Sequence, residues 1–163
     1  MEHPRFLYDL THCSIGRALD VLGERWTLLV LREAFYGVRR FDDFARALGC
    51  GRGVLSDRLK SLVAANVLER REYREPERRA RSEYQLTDKG RDLFPAIVAL
   101  SQWSERWDPP PDGPVAQVRA RKSSRAVRAI LTSDATVEAL SLREVEITPG
   151  PGAKRLDKTR AGT

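Results

Sequence analysis

The chain has 163 residues, 32% of them charged and 41% hydrophobic, and a formal net charge of +6. This balance is typical of a soluble globular domain with an appendage, and the basic surplus favours a polyanionic partner such as nucleic acid. The sequence contains no apolar run of the roughly 20 residues that a membrane span needs and no signal-peptide pattern. We therefore expect a cytoplasmic, nucleoid-associated protein with no membrane partner.

Helical periodicity dominates the first part of the chain. The first predicted helix has Ser14 as its N-cap and ends at Gly23. The second begins near Trp26 and stops at Gly37. Because this second helix is apolar over most of its circumference, it is predicted to be the buried centre of the domain.

A helix-turn-helix is predicted next. A short amphipathic helix over 41–48 is followed by the turn Gly49-Cys50-Gly51 and by a basic helix from about Gly51 to Ala65. The predicted apolar set of the basic helix is Val54, Leu55, Leu59, Leu62 and Val63. Its opposite face presents Arg52, Gly53, Ser56, Asp57 and Lys60.

After this helix the period of hydrophobicity changes to two, which predicts paired strands over 67–74 and 82–86. Six arginines and three glutamates lie between Arg70 and Arg81. The order of helix, strand, basic loop and strand is that of a winged helix, which places a helix in the major groove and a loop beside it. The predicted fold is mainly α with a small β wing (α+β), followed by a short β-rich appendage.

The basic helix is the predicted recognition helix, and the N-terminal residues of such a helix usually reach base edges. We expect Arg52 to pair with guanine O6 and N7, and Ser56 to contact base or phosphate. Arg58 and Lys60 are expected to bind phosphates. Double-stranded DNA is therefore the predicted partner.

Two further residues of this helix have less direct roles. Gly53 is expected to permit close approach, and Asp57 to pair with a neighbouring arginine or to accept from a cytosine amino group. Wing arginines are expected to contact the minor groove or the DNA backbone. These wing residues are Arg74, Arg78, Arg79 and Arg81.

A final helix is predicted from Thr87, its cap, to Trp107, with a kink at Pro95. Its apolar stripe is too wide and too aromatic for one small domain to bury, which favours a partner helix. The alternative is that the stripe packs only on its own domain or under the tail.

The run RALDVLGERWTLLVLREAFYGVRRFDDFARALGCGRGVLSDRLKSLVAANVLERREY, followed by YQLTDKGRDLFPAIVAL and Trp103, resembles the HxlR-type transcriptional regulators. The resemblance covers about Cys13 to Trp107. It implies a homodimeric winged helix whose first and last helices form the dimer, with each recognition helix reading half of an inverted repeat, and with repression as the default. The expected dimer-interface residues are Ile15, Leu19, Ile97, Leu100, Trp103 and Trp107.

Two cysteines are candidate redox sensors. In several members of the resembled family a cysteine at the place of Cys13 senses oxidants or electrophiles, and helix amide dipoles favour a thiolate there. The alternative for Cys13 is an inert packing residue. Cys50, in the turn before the recognition helix, is favoured as a small apolar filler and is the second candidate. A small-molecule effector is the other expected means of control.

The sequence divides into an arm (1–12), the winged helix (13–107), a proline-rich linker (108–114), a β appendage (115–147) and a disordered tail (148–163). The appendage resembles a zinc ribbon of some relatives with its ligands replaced. No cysteine or histidine stands near Ser123-Ser124, Ser133 or Thr136, so we expect no zinc and no other cofactor.

The sequence thus predicts a DNA-binding regulator and argues against an enzyme. Its only histidines are His3 and His12, and it has neither a phosphate-binding loop nor a cluster of metal ligands. The alternative function is a winged helix that binds a protein or RNA without operator specificity.

Overall fold

A computed structural model of the protein describes residues 11–73 and 81–154, without the side chains of Tyr73 and Arg81. The chain divides into two compact units, Met1–Gln85 and Leu86–Thr163. Within the described ranges no helix is long and apolar enough to cross a membrane. The expected arm up to residue 10, the tip of the wing and the last nine positions of the expected tail lie outside the described residues.

The first unit holds four helices and a β-hairpin among its described residues. The helices are α1 (Ser14–Leu22), α2 (Arg25–Phe35), α3 (Phe41–Leu48) and α4 (Arg52–Ala64), and the paired strands are β1 (Leu68–Tyr73) and β2 (Arg81–Leu86). The chain before α3 adds to this hairpin, because Tyr84 N–H donates to Arg39 O at 2.8 Å and Arg40 forms an antiparallel bridge with Glu83. The predicted α+β winged helix is confirmed.

The core of the first unit lies between α2, α3, α4 and β1. Its fully buried apolar side chains are Val30, Leu31, Phe44, Leu55, Leu59, Leu62, Val67 and Leu68. The predicted burial of α2 is therefore confirmed. Val54, which we placed in the apolar set of α4, is instead 42% exposed. It lies one position away from the stripe of Leu55, Leu59 and Leu62, so the helical rotation turns it away from the core.

The N-cap of α1 differs from the predicted one, whereas the end of α3 agrees with the prediction. Cys13, not Ser14, is the N-cap of α1, and it makes no side-chain capping bond. Arg17 N–H already donates to Cys13 O at 3.0 Å, so the first helical turn starts one residue earlier than expected. Gly49 ends α3 as predicted, with a φ of 62°. This left-handed conformation favours glycine.

The predicted last helix is two helices, α5 (Asp88–Arg91) and α6 (Phe94–Trp107). Thr87 caps the first as predicted, because its side-chain oxygen accepts from Gly90 N–H at 3.1 Å. The predicted kink at Pro95 is wrong, since this proline lies in the first turn of α6. Proline has no N–H to donate, and the first turn is where a helix lacks an acceptor for that N–H.

The appendage is β-rich, as predicted. Strand β3 (Ala116–Ala120) pairs antiparallel with β4 (Val145–Pro149), so that Val118 lies opposite Ile147. A second segment returns along β3, since Val127 N–H donates to Val118 O at 2.9 Å. A 3-10 turn, Leu142–Glu144, leads into β4.

Glycines beyond β4 join the appendage to the proline-rich segment. Gly150 N–H donates to Val115 O at 2.9 Å and Gly152 N–H to Pro114 O at 3.1 Å. A Cβ on Gly150 would lie 2.1 Å from Pro114 O, so only glycine permits this approach. Gly150 and Gly152, which we placed in the tail over 148–163, thus contact Val115 and Pro114, the last residue of the predicted linker.

The appendage also contacts α6. The Gln102 side chain donates to Val127 O at 2.8 Å and accepts from Ala129 N–H at 3.0 Å. One amide side chain therefore satisfies a backbone acceptor and a backbone donor of the returning segment.

Candidate nucleic-acid interface

Helix α4 presents a polar face to solvent and holds its apolar face in the core. Arg52, Gly53, Asp57 and Lys60 are exposed, as predicted, and Ser56 is half-buried. Leu55, Leu59 and Leu62 anchor the opposite face, which fixes the orientation of the exposed side chains. A surface helix anchored in this way can be inserted into a groove without losing its own packing.

Arg52 is held by residues of α3. Its guanidinium Nη2 lies 3.0 Å from Asp42 Oδ1, and its Cζ lies 4.7 Å from the centre of the Phe41 ring. The Arg52 side chain is nevertheless 69% exposed. These residues border a cleft of about 570 Å³, which is also lined by Arg40, Asp43, Arg46, Ser82 and Tyr84.

Two other predicted contacts of α4 have different surroundings. Arg58 is half-buried, with its guanidinium 3.9 Å from a carboxylate oxygen of Glu24. A pair at this distance contributes little, so the Arg58 charge is not strongly bound to its partner. Among the side chains that the structure describes, none forms an ion pair with Asp57, so its expected partner, a neighbouring arginine or a cytosine amino group, stays a prediction.

The base of the wing is described and its tip is not. Arg70 Nε donates to Ser82 Oγ across the hairpin at 2.7 Å, and Arg71 lies 2.6 Å from Glu69. Three expected wing contacts, Arg74, Arg78 and Arg79, lie outside the described residues, and of Arg81 only the backbone is described.

Two features of this surface were not predicted from the sequence. The first is Val54, whose exposure follows from its offset from the buried stripe and was therefore readable from the spacing. The second is the contact of Arg52 with Asp42, which lies ten positions earlier in another helix. A contact between two helices has no periodic pattern in the sequence.

The two candidate redox residues are both half-buried thiols. Cys13 is the N-cap of α1, and Cys50 lies in the turn directly before Gly51, the N-cap of α4. Cys50 is thus the thiol that adjoins the recognition helix, and Cys13 adjoins the helix that we expected in the dimer interface.

Both helices of the expected dimer interface carry exposed apolar side chains. In α1, all of whose residues are described, no side chain is buried, and Ile15 and Leu19 are more than half exposed. In α6, Phe94 and Val98 are buried and Ile97 is half-buried. The rest of its stripe is more than half exposed in the single chain and consists of Leu100, Trp103 and Trp107.

The turn at Ser133–Thr136, near one place where the resembled zinc ribbon has ligands, is closed by hydrogen bonds. Asp134 Oδ1 accepts from Thr136 N–H at 2.9 Å and from Thr136 Oγ1 at 2.7 Å. These two bonds hold the pKa of Asp134 below its ordinary value, because they stabilise the carboxylate. Among the described residues no three histidine, cysteine, aspartate or glutamate side chains form a metal-binding group.

Helix α3 is joined by a tight turn to α4, whose apolar face is anchored in the core, and the hairpin of β1 and β2 follows. This order of elements defines a winged helix-turn-helix DNA-binding protein. The chain belongs to the HxlR-like helix-turn-helix family, whose match spans residues 21–112. It is a transcriptional regulator and not an enzyme.

Relatives and solved structures are similar to this chain over both units. An HTH-type transcriptional regulator of Mycobacterium tuberculosis is 46% identical over 90% of this chain and 94% of its own. The crystal structure of PA1607, a proposed transcription factor, matches with a TM-score of 0.68 and 32% identity over 91% of this chain and 96% of its own. The redox regulator HypR in its reduced form matches with a TM-score of 0.52 and 28% identity, over 57% of this chain and 91% of its own.

Proposed function

We propose that this regulator binds an inverted-repeat operator as a homodimer and represses transcription. The observation that carries the proposal is the anchored helix α4, which exposes the guanidinium of Arg52 and the ammonium group of Lys60 to solvent. The exposed apolar side chains of α1 and α6 support the dimer, since monomeric proteins rarely leave such patches open. A dimer with two equivalent recognition helices matches a palindromic site.

Within each half-site the residues divide into base and phosphate contacts. Arg52 contacts a base, Ser56 contacts a base or a phosphate, and Gly53 permits close approach. Asp57 pairs with a neighbouring arginine or accepts from a cytosine amino group. Arg58 and Lys60 bind phosphates. The wing adds contacts to the backbone or the minor groove through Arg74, Arg78, Arg79 and Arg81.

The dimer forms through the apolar faces of the first and last helices. Each face is self-complementary in a two-fold dimer, where a residue of one protomer can meet the same patch on its partner. The residues proposed for this interface are Ile15, Leu19, Ile97, Leu100, Trp103 and Trp107.

Replacement of Lys60 by alanine tests the proposed mode of binding. We expect Lys60→Ala to weaken binding to operator and non-operator DNA about equally, because a phosphate contact carries no sequence information. The logarithmic dependence of affinity on salt should become shallower by about 1. The measurement is a fluorescence-anisotropy titration of both duplexes at several salt concentrations.

The matched control is Lys154→Ala, which removes the same charge from a lysine of the second unit that pairs with Asp112. This control should leave the salt dependence as in the wild type. An effect of Lys60→Ala on operator DNA alone would contradict its assignment to phosphate. Binding of a structured RNA in preference to both duplexes would favour the alternative function.

A thiol switch is the proposed control, with Cys13 as the sensor and Cys50 as the second candidate; a small molecule is the alternative. The match to HypR supports this, because that redox regulator is known in a reduced and an oxidised form, each aligned over more than half of this chain. A covalent change at Cys13, at the start of α1, would act on a helix of the proposed dimer interface.

We expect mild oxidation with diamide to change operator affinity of the wild type and not of Cys13→Ser. The measurement is the same titration, run reduced and oxidised, with Cys50→Ser as the matched variant that keeps the sensor. If Cys50→Ser abolished the response and Cys13→Ser retained it, the second candidate would be the sensor. If oxidation left the operator affinity of the wild type unchanged, the remaining alternatives would be control by a small molecule or no effector at all.

A further inference from the structure

The guanidinium of Arg52 is held on one edge and one face by the first turn of α3. Asp42 occupies the edge, at 3.0 Å from Nη2, and the Phe41 ring lies against the face, 4.7 Å from Cζ. The contact crosses the turn between the two helices and joins residues ten positions apart. A long, flexible side chain is thereby confined at the N-terminal end of α4, the end from which base edges are reached.

The confined guanidinium still has N–H groups to offer. Asp42 accepts from one nitrogen only, and the Arg52 side chain remains 69% exposed. Guanine presents O6 and N7 as adjacent acceptors in the major groove, which a guanidinium edge can bind together. An arginine that is already oriented loses less side-chain freedom when it makes these bonds.

We propose that Asp42 is a positioning residue that gives the regulator its preference for guanine at one position of each half-site, by orienting Arg52. This inference rests on the proposed function. Asp42 does so at a cost in affinity, because its carboxylate repels phosphates and partly neutralises Arg52. Asp42 thus favours discrimination between DNA sequences over binding to DNA in general.

The adjacent carboxylate provides a matched control. Asp43 lies in the same first turn of α3, but its partner is Arg46 of the same helix, at 3.3 Å. Asp42→Asn and Asp43→Asn remove the same charge from neighbouring positions. The first substitution alone removes the carboxylate that orients Arg52.

The experiment starts from duplexes that the wild-type protein selects from a random library. Wild type, Asp42→Asn and Asp43→Asn are then titrated against the selected duplex, each of its single-base-pair variants and an unselected duplex. We expect Asp42→Asn to lose about fivefold or more of the preference for guanine at one position of each half-site, and to bind the unselected duplex more tightly. Asp43→Asn should also bind the unselected duplex more tightly but keep the preference.

Two further variants separate orientation from structure. Asp42→Asn should change no base preference in an Arg52→Ala background, and Asp42→Glu should restore part of the preference. If Asp42→Asn kept the wild-type preference while Arg52→Ala lost it, the inference would be overturned and the proposed function would stand. Equal loss of preference in both asparagine variants would likewise overturn it. If the wild type selected no duplex, the proposed function itself would fail, and the inference with it.

Discussion

Trp103→Glu is expected to yield a monomer that binds the operator about 100-fold or more weakly than the wild type. Two linked recognition helices bind one DNA with an avidity that exceeds the single contacts by about 10²–10⁴-fold, and a monomer loses that gain. Trp103 is 66% exposed in the single chain, so its replacement should not disturb the fold of one protomer. In the dimer, however, the introduced carboxylate would be buried between two apolar faces and would lose its hydration. The cost of this desolvation disfavours the dimer.

The control for this variant is Trp103→Phe, which keeps an aromatic ring at the same position of α6 and adds no charge. The mass in solution is measured by light scattering on a size-exclusion column, and operator affinity by anisotropy. The control should remain dimeric and bind as the wild type does. A Trp103→Glu protein that stays dimeric with unchanged affinity would contradict the proposed interface.

Phe44→Ala is expected to lower the free energy of unfolding of the first unit by about 3–5 kcal/mol, the usual cost of removing a buried phenyl ring. Phe44 is fully buried. Its ring packs edge-on against Tyr84 of β2, with the ring centres 6.5 Å apart and the planes at 76°. The substitution therefore removes a contact that joins the helix-turn-helix to the wing.

Phe41→Ala provides the comparison for the loss of stability in Phe44→Ala. Phe41→Ala removes the same ring from the start of α3, where it is only partly buried, so the loss should be clearly smaller. Urea dependence of amide hydrogen exchange in α2 and α4 reports on the first unit. If both variants lowered the free energy of unfolding by the same amount, the assignment of Phe44 to the buried core would be contradicted.

Elements with strong local patterns were predicted well from the sequence. The helices α2, α3 and α4 were found because their apolar residues recur with the helical period and because glycines end the first two. The change to a period of two after α4 identified the hairpin. Thr87 was recognised as a cap because a hydroxyl before a helix satisfies a backbone N–H.

Features set by contacts between distant residues were not predicted. The Pro-Gly-Pro-Gly run that begins at the last residue of β4 has the composition of a disordered tail, yet its glycines, Gly150 and Gly152, donate hydrogen bonds to Val115 and Pro114. The hydrogen bonds of Gln102 join residues 25 and 27 positions apart. The orientation of Arg52 by Asp42 likewise depends on how two helices meet, which local periodicity does not determine.

The measurement that tests the central claim most directly is selection of duplexes from a random library by the purified wild-type protein, followed by sequencing. We predict enrichment of an inverted repeat whose half-sites lie about one helical turn, ~10 base pairs, apart, with a guanine in each half-site that Arg52→Ala no longer requires. Recovery of no preferred sequence at any salt concentration would contradict the account of a dimeric, operator-specific regulator.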